Sequence, residues 1–266
     1  MRYKSLVQLF YNSYFKLQDF NSRKGLRSPV FIVGTGRSGT HFLCSCLNSF
    51  SELDDGFSGK ESRYMFDRIS ELTVRQNPLS SSVRGYYSSM MRSVYPKTLV
   101  DQTHPNIWNV EQLKNWFPNA RFLTLNRDVY SVVFSMINHP GVAAWEINHF
   151  KYPKPNRFLG ITEKNRNIYC NRLSDIQRFV FRWCAHTERS MELIETYPDS
   201  VMGIRYEDLA ADMVREMGKV ADFLEIDPPN ELQYFNEKSL LKKNSLSREQ
   251  VREIDEALML YKESGG

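Results

Sequence analysis

Arg37, Ser38 and Thr40 lie in a loop with three glycines, Gly34-Thr35-Gly36-Arg37-Ser38-Gly39-Thr40-His41. An apolar run, Pro29-Val30-Phe31-Ile32-Val33, leads into it, and Phe42, Leu43 and Leu47 follow at the spacing of a buried helix face. The pattern is strand, loop, helix. Glycine lets a backbone turn tightly and come close to a ligand, and a helix start offers unpaired N–H groups at the positive end of its dipole. An oxyanion such as a phosphate suits that arrangement. From Gly34 to Gly39 the spacing is G-x-x-x-x-G, yet Thr40 and His41 stand where a nucleoside-triphosphate loop carries Lys and Ser or Thr. The loop's own cation is Arg37.

Three further stretches carry chemistry. Arg127 follows the run Arg121-Phe122-Leu123-Thr124-Leu125, and Ser135 comes eight residues later. A guanidinium forks onto phosphate oxygens and a hydroxyl adds one more donor; an isolated arginine there would serve a surface ion pair instead. His104 sits in Asp101-Gln102-Thr103-His104-Pro105. Imidazole suits proton transfer near neutral pH, although a histidine before proline also serves to satisfy a turn. Glu61 sits in Gly59-Lys60-Glu61, either as a base or as an acid favoured at a helix N-terminus.

The loop G-x-G-R-S-G-T resembles the phosphosulfate loop of sulfotransferases, which take their sulfuryl group from PAPS (3′-phosphoadenosine 5′-phosphosulfate). The resemblance implies that Gly36, Arg37, Ser38, Gly39, Thr40 and His41 hold the 5′-phosphate side of the donor without a metal, with Arg37 steadying the leaving group. It implies that Arg127 and Ser135 share the 3′-phosphate. Phe117-Pro118-Asn119-Ala120-Arg121 and Ile204-Arg205-Tyr206-Glu207-Asp208-Leu209 also resemble family segments, so the likeness runs over residues 29–224. It points to the bacterial and carbohydrate-type branches. Thr103-His104 resembles the K-T-H of cytosolic members and implies His104 as catalytic base, with Gln102 in place of the lysine. Lys60-Glu61 with Tyr64-Met65-Phe66-Asp67 resembles the K-E-x-x-F-F-D of glycan sulfotransferases, with one extra residue, and implies Glu61 as base. Both stay open. Two departures stand out. The cytosolic R-K-G-x-x-G-x-W-K segment is absent, leaving Lys242-Lys243 as a donor contact or a solvated pair, and His41 or Phe42 replaces the tryptophan that stacks on adenine.

These residues need elements to position them. Strand patterns at 29–33, 98–101, 121–125 and 201–204 alternate with helical ones. The helices run from about Gly59 to Arg75, over 80–94, from an N-cap at Asn106, over 131–137, over 174–197, from a cap at Asp212 to Leu224, and from a capping box at Ser247-Arg248-Glu249-Gln250. Alternation predicts an α/β fold, a three-layer α/β/α arrangement on a central parallel sheet, like that of P-loop nucleotide-binding proteins. Ligands bind such sheets beyond the C-terminal strand ends, so the loops at 34–41, 101–105 and 126–128 converge. Residues 139–170 show no period and hold Pro140, Pro153, Pro155 and Gly160; they read as a lid or acceptor wall bearing Trp145, His149, Phe150 and Tyr152. Residues 3–20 form a basic, aromatic amphipathic pattern. It either packs on the domain as an N-terminal extension (residues 1–28) or lies on a membrane surface.

The chain has 266 residues, a composition of 41% hydrophobic and 25% charged, and a net charge of +4. That predicts one domain over 1–266 and suits an anionic ligand, but gives no footprint for nucleic acid. No apolar run is long enough to span a membrane and no signal-peptide core precedes the loop. Cys44, Cys46, Cys170 and Cys184 have no zinc spacing. They predict reduced, mostly buried thiols and a cytoplasmic setting. The expected acceptor is a hydroxyl or amine on a small molecule, glycan or lipid, with no metal required. A small-molecule kinase and a non-catalytic nucleotide-binding module are the competing readings.

Overall fold

A computed structural model describes residues 26–56, 63–229, 231–232 and 245–264. Five strands, β1 (Val30–Gly34), β2 (Leu53–Asp54), β3 (Thr98–Asp101), β4 (Arg121–Asn126) and β5 (Val201–Arg205), form one parallel sheet ordered β2-β3-β1-β4-β5. Strand β1 is buried along its whole length. Successive side chains of a strand face opposite sides, so a strand covered on both faces must be apolar throughout. Phe31 and Val33 accordingly join Leu99 and Phe122 on one face. Val30 and Ile32 join Val100, Leu123 and Leu125 on the other.

Helices α1 (Thr40–Leu47), α2 (Arg63–Val74), α3 (Ser81–Ser93) and α4 (Val110–Trp116) precede α5 (Val129–Ile137), α6 (Pro140–Ile147), α7 (Arg166–Asn171) and α8 (Asp175–Thr196). The last are α9 (Tyr206–Ala211), α10 (Met213–Leu224) and α11 (Arg248–Glu263). The Phe31 face is covered mainly by α2, α3 and α4, the Ile32 face by α1, α9 and α10. A further apolar cluster joins α5, α6, α8 and α11. Ser174 and Ser247 close complete capping boxes on α8 and α11, and the Asp212 carboxylate caps α10. The chain passes from β3 on one side of β1 to β4 on the other. The loops after all three strands therefore meet at the point where the order reverses, where such sheets bind ligands.

One expectation, Asn106, needs correction, and two segments hold more structure than their pattern shows. Strand β2 is not among the strand patterns of the sequence, because two residues are too few to carry an alternation. Asn106 caps no helix. A 3-10 turn spans His104–Trp108, α4 starts after Asn109, and the Asn106 amide instead donates to Tyr87 Oη (2.7 Å) and Asp101 Oδ2 (3.2 Å). Residues 139–170 are ordered into α6, α7 and two 3-10 turns. Helix α6 buries Val142, Ala143 and Glu146 together, and that mixture hides the helical period. The pattern at 3–20, Glu61, Lys60 and Lys242-Lys243 lie outside the described residues. No helix among the described residues is long and apolar enough to cross a membrane. Cys44, Cys46 and Cys184 are buried and all four cysteines are free.

Candidate active site

The loop leaves β1 in a conformation that its neighbours dictate. Gly39 has φ +107°, and a methyl group there would lie 2.5 Å from the Tyr206 ring. A methyl group on Gly36 would lie 2.8 Å from His104 Cε1, 2.9 Å from its Nε2 and 3.4 Å from Arg182 Nη2. Glycine at 36 thus admits His104 and Arg182 to the loop backbone. Arg37, although not glycine, has φ +76°. Residues held in that region cost free energy and cluster at functional sites. Ser38 Oγ donates to Thr35 O (2.7 Å), which fixes the turn, and Thr40 begins α1 buried. His41 is exposed and Phe42 packs edge-on to Tyr206.

The second stretch docks on this loop. Arg37 Nε donates to Ser135 Oγ on α5 (3.0 Å). Arg127 is 5% exposed, with its guanidinium 4.0 Å from the Tyr206 ring centroid. Its carbonyl accepts from Trp183 Nε1 (2.9 Å). Asp128 caps α5 by accepting from Ser131 N, while its own N–H donates to Glu207 Oε1 (2.9 Å). The Arg205–Leu209 segment thus supports both stretches. Tyr206 backs Gly39 and Arg127, and Glu207 holds the turn after β4.

His104 is buried against Phe66 (centroids 5.3 Å) and Trp145 (6.5 Å), and its Nδ1 has no partner among the described residues. Burial, and then the charge of Arg182, hold it well below the usual histidine range. The ring is therefore neutral, the form a base requires. Of the four aromatic candidates in 139–170, Trp145 is the one that meets the His104 ring. His149 packs on Tyr169, Phe150 is exposed, and Tyr152 lies against Arg75.

Asp101 sets the turn that carries His104. Its carboxyl accepts from Thr103 Oγ1 (2.9 Å), Thr103 N, Tyr87 Oη and Asn106 Nδ2 (3.2 Å each). Burial still outweighs these bonds and pushes its pKa from 3.8 up to about 6. A carboxyl whose pKa is raised by folding stabilises the fold while protonated, below the unfolded value, and loses that contribution as pH rises through the folded value. Asp101→Asn removes the titration. From about pH 4 to about pH 7 its stability should therefore improve relative to wild type by on the order of 3 kcal/mol, read from urea unfolding. A difference independent of pH would mean that Asp101 ionises normally.

Sequence reasoning missed the residues that α8 contributes. His186 Nδ1 donates to Gly34 O (3.2 Å), and its Nε2 lies within hydrogen-bond distance of both Trp108 Nε1 (3.1 Å) and Phe158 O (3.0 Å), with the pKa lowered to about 3 mainly by burial. Arg182 is fully buried and its Nη1 donates to Glu146 Oε1 (3.1 Å), itself fully buried. The signal was present in the sequence. Arg182, His186 and Arg189 recur at helical spacing within the buried stripe of α8, where polar residues need a reason.

Comparison with known proteins identifies the family. The model of the Sulfotransferase family matches residues 73–230, a stretch that includes His104, Arg127, Ser135 and Arg182. The sulfotransferase domain from the curacin biosynthetic pathway is 17% identical, with 82% of this chain and 78% of that one covered at a TM-score of 0.52. The sulfotransferase domain of the olefin synthase of Synechococcus PCC 7002 is 15% identical, with 87% and 94% covered at a TM-score of 0.53. At such identities the likeness is one of fold. No curated protein sequence matches the chain. With the family model spanning more than half its length and the same fold in these two domains, this chain belongs to the sulfotransferase family.

Proposed function

We propose that the protein transfers a sulfuryl group from PAPS to a hydroxyl or amine acceptor and releases adenosine 3′,5′-bisphosphate. The carrying observation is the 3.0 Å bond from Arg37 Nε to Ser135 Oγ, which brings the glycine loop and the Arg127–Ser135 stretch into one site. The residues present fit a donor with phosphates at both ends. Gly36 to His41 cradle the 5′ side at the start of α1, and Arg127 with Ser135 meets the 3′-phosphate. Bound there, PAPS supplies an activated sulfur whose bond to the 5′-phosphate oxygen breaks as the acceptor oxygen or nitrogen attacks. His104 takes the acceptor proton and Arg37 steadies the departing phosphate, so catalysis is positioning plus electrostatics. Helix α6, through Trp145, packs against His104 and serves as acceptor wall.

Isothermal titration of the full chain with adenosine 3′,5′-bisphosphate, 5′-AMP and ATP tests this reading. Micromolar binding of the bisphosphate, with AMP weaker by about ten-fold or more, is expected from the charge-assisted bonds to the 3′-phosphate. Equal binding of AMP, or a preference for ATP with magnesium, would overturn it in favour of a kinase.

A further inference from the structure

Arg182 is fully buried, and only one side of its guanidinium is engaged. Nη1 donates to Glu146 Oε1 at 3.1 Å, and the planar group packs over the rings of Trp145 (4.6 Å) and Phe158 (4.8 Å). Nε and Nη2, the two donors of the opposite edge, have no hydrogen-bond partner among the described residues. A buried donor left without a partner is costly, so two on one edge need an explanation. Two parallel N–H donors on one edge can fork onto an oxyanion. This edge faces the loop: Nη2 lies 3.4 Å from where a methyl group on Gly36 would stand, beside the His104 ring. The Glu146 carboxylate holds the group from behind, and its own Oε2 has no partner among the described residues either.

We propose that Arg182 is a catalytic residue whose Nε/Nη2 edge binds two oxygens of the sulfuryl group in transfer. The inference rests on the PAPS reading. During transfer the bond from sulfur to the 5′-phosphate oxygen breaks, its electron pair staying on that oxygen. A bond forms from the acceptor atom to sulfur, and the acceptor proton passes to the base. The sulfuryl oxygens keep their negative charge throughout, and Arg182 is placed to hold it on the acceptor side of the loop.

The test compares two donor-site ligands that differ in the sulfuryl group. PAPS and adenosine 3′,5′-bisphosphate are titrated into full-length wild type, Arg182→Gln, and the double variant Glu146→Gln/Arg182→Met, which removes both buried charges together. Bisphosphate affinity should stay within about three-fold, while PAPS affinity falls by about ten- to a hundred-fold in both variants. PAPS affinity unchanged, or the two ligands losing affinity together, would overturn the proposal and leave Arg182 a structural residue. Wild type binding neither ligand would instead remove the donor reading on which the inference rests.

Discussion

Arg127→Ala should weaken adenosine 3′,5′-bisphosphate by about ten- to a hundred-fold and leave 5′-AMP within about three-fold, because the bonds lost are charge-assisted ones to a single phosphate. The structure favours a local effect. Arg127 lies over Tyr206, and the surrounding turn is held by groups other than its guanidinium. Trp183 binds the Arg127 carbonyl, and Glu207 and Ser131 bind Asp128. Removing the side chain thus spares the backbone that presents Ser135. Arg127→Lys distinguishes charge from geometry: a lysine keeps the charge but loses the fork, so recovery should be partial. Equal losses for AMP and the bisphosphate would show that Arg127 shapes the pocket and does not read the 3′-phosphate.

How much of this was legible beforehand depended on where each signal sits along the chain. Strand β1, its loop and α1 are contiguous, so the apolar run and the glycines displayed them directly, as Asp212 and Ser247 displayed their caps. The convergence of the loops after β1, β3 and β4 was readable because a parallel sheet brings loops after neighbouring strands to one edge. The contribution of α8 was hidden for a different reason. Arg182 and His186 reach the loop from a helix more than 140 residues downstream, as the residue numbers show, and no local pattern says which strand-end their helix crosses. Asn106 misled because the residue types that cap helices also satisfy buried carboxylates. The Asp101 side chain, invisible as an acceptor in sequence, claims its amide. Strand β2 was too short, and α6 too evenly buried, for either to show a period.

His104→Ala should lower kcat/KM for sulfuryl transfer by about a hundred- to ten-thousand-fold, the usual contribution of a positioned general base, with bisphosphate affinity nearly unchanged. The parallel variant Glu61→Gln decides between the two bases that the sequence leaves open. A loss of that size in Glu61→Gln, with His104→Ala near wild type, would assign the proton to Glu61. The pH profile adds an independent reading. Burial and the cations Arg182 and Arg37 keep the His104 pKa well below the ordinary value of 6.5. A lowered pKa means that the neutral base persists as pH falls, so His104 should impose no acid limb near 6.5 on kcat/KM. Asp101, in the same turn and with its pKa raised to about 6, is the group that would produce a limb nearby. The Asp101→Asn variant separates them: a limb near 6 that vanishes in that variant belongs to the turn, and one near 6.5 that survives would require a histidine in ordinary solvent contact. His104 has the opposite surroundings, with its ring buried between Phe66, Trp145 and the backbone of Gly36. The same burial that makes it a weaker base keeps it unprotonated, and the charge of Arg182 contributes to both effects.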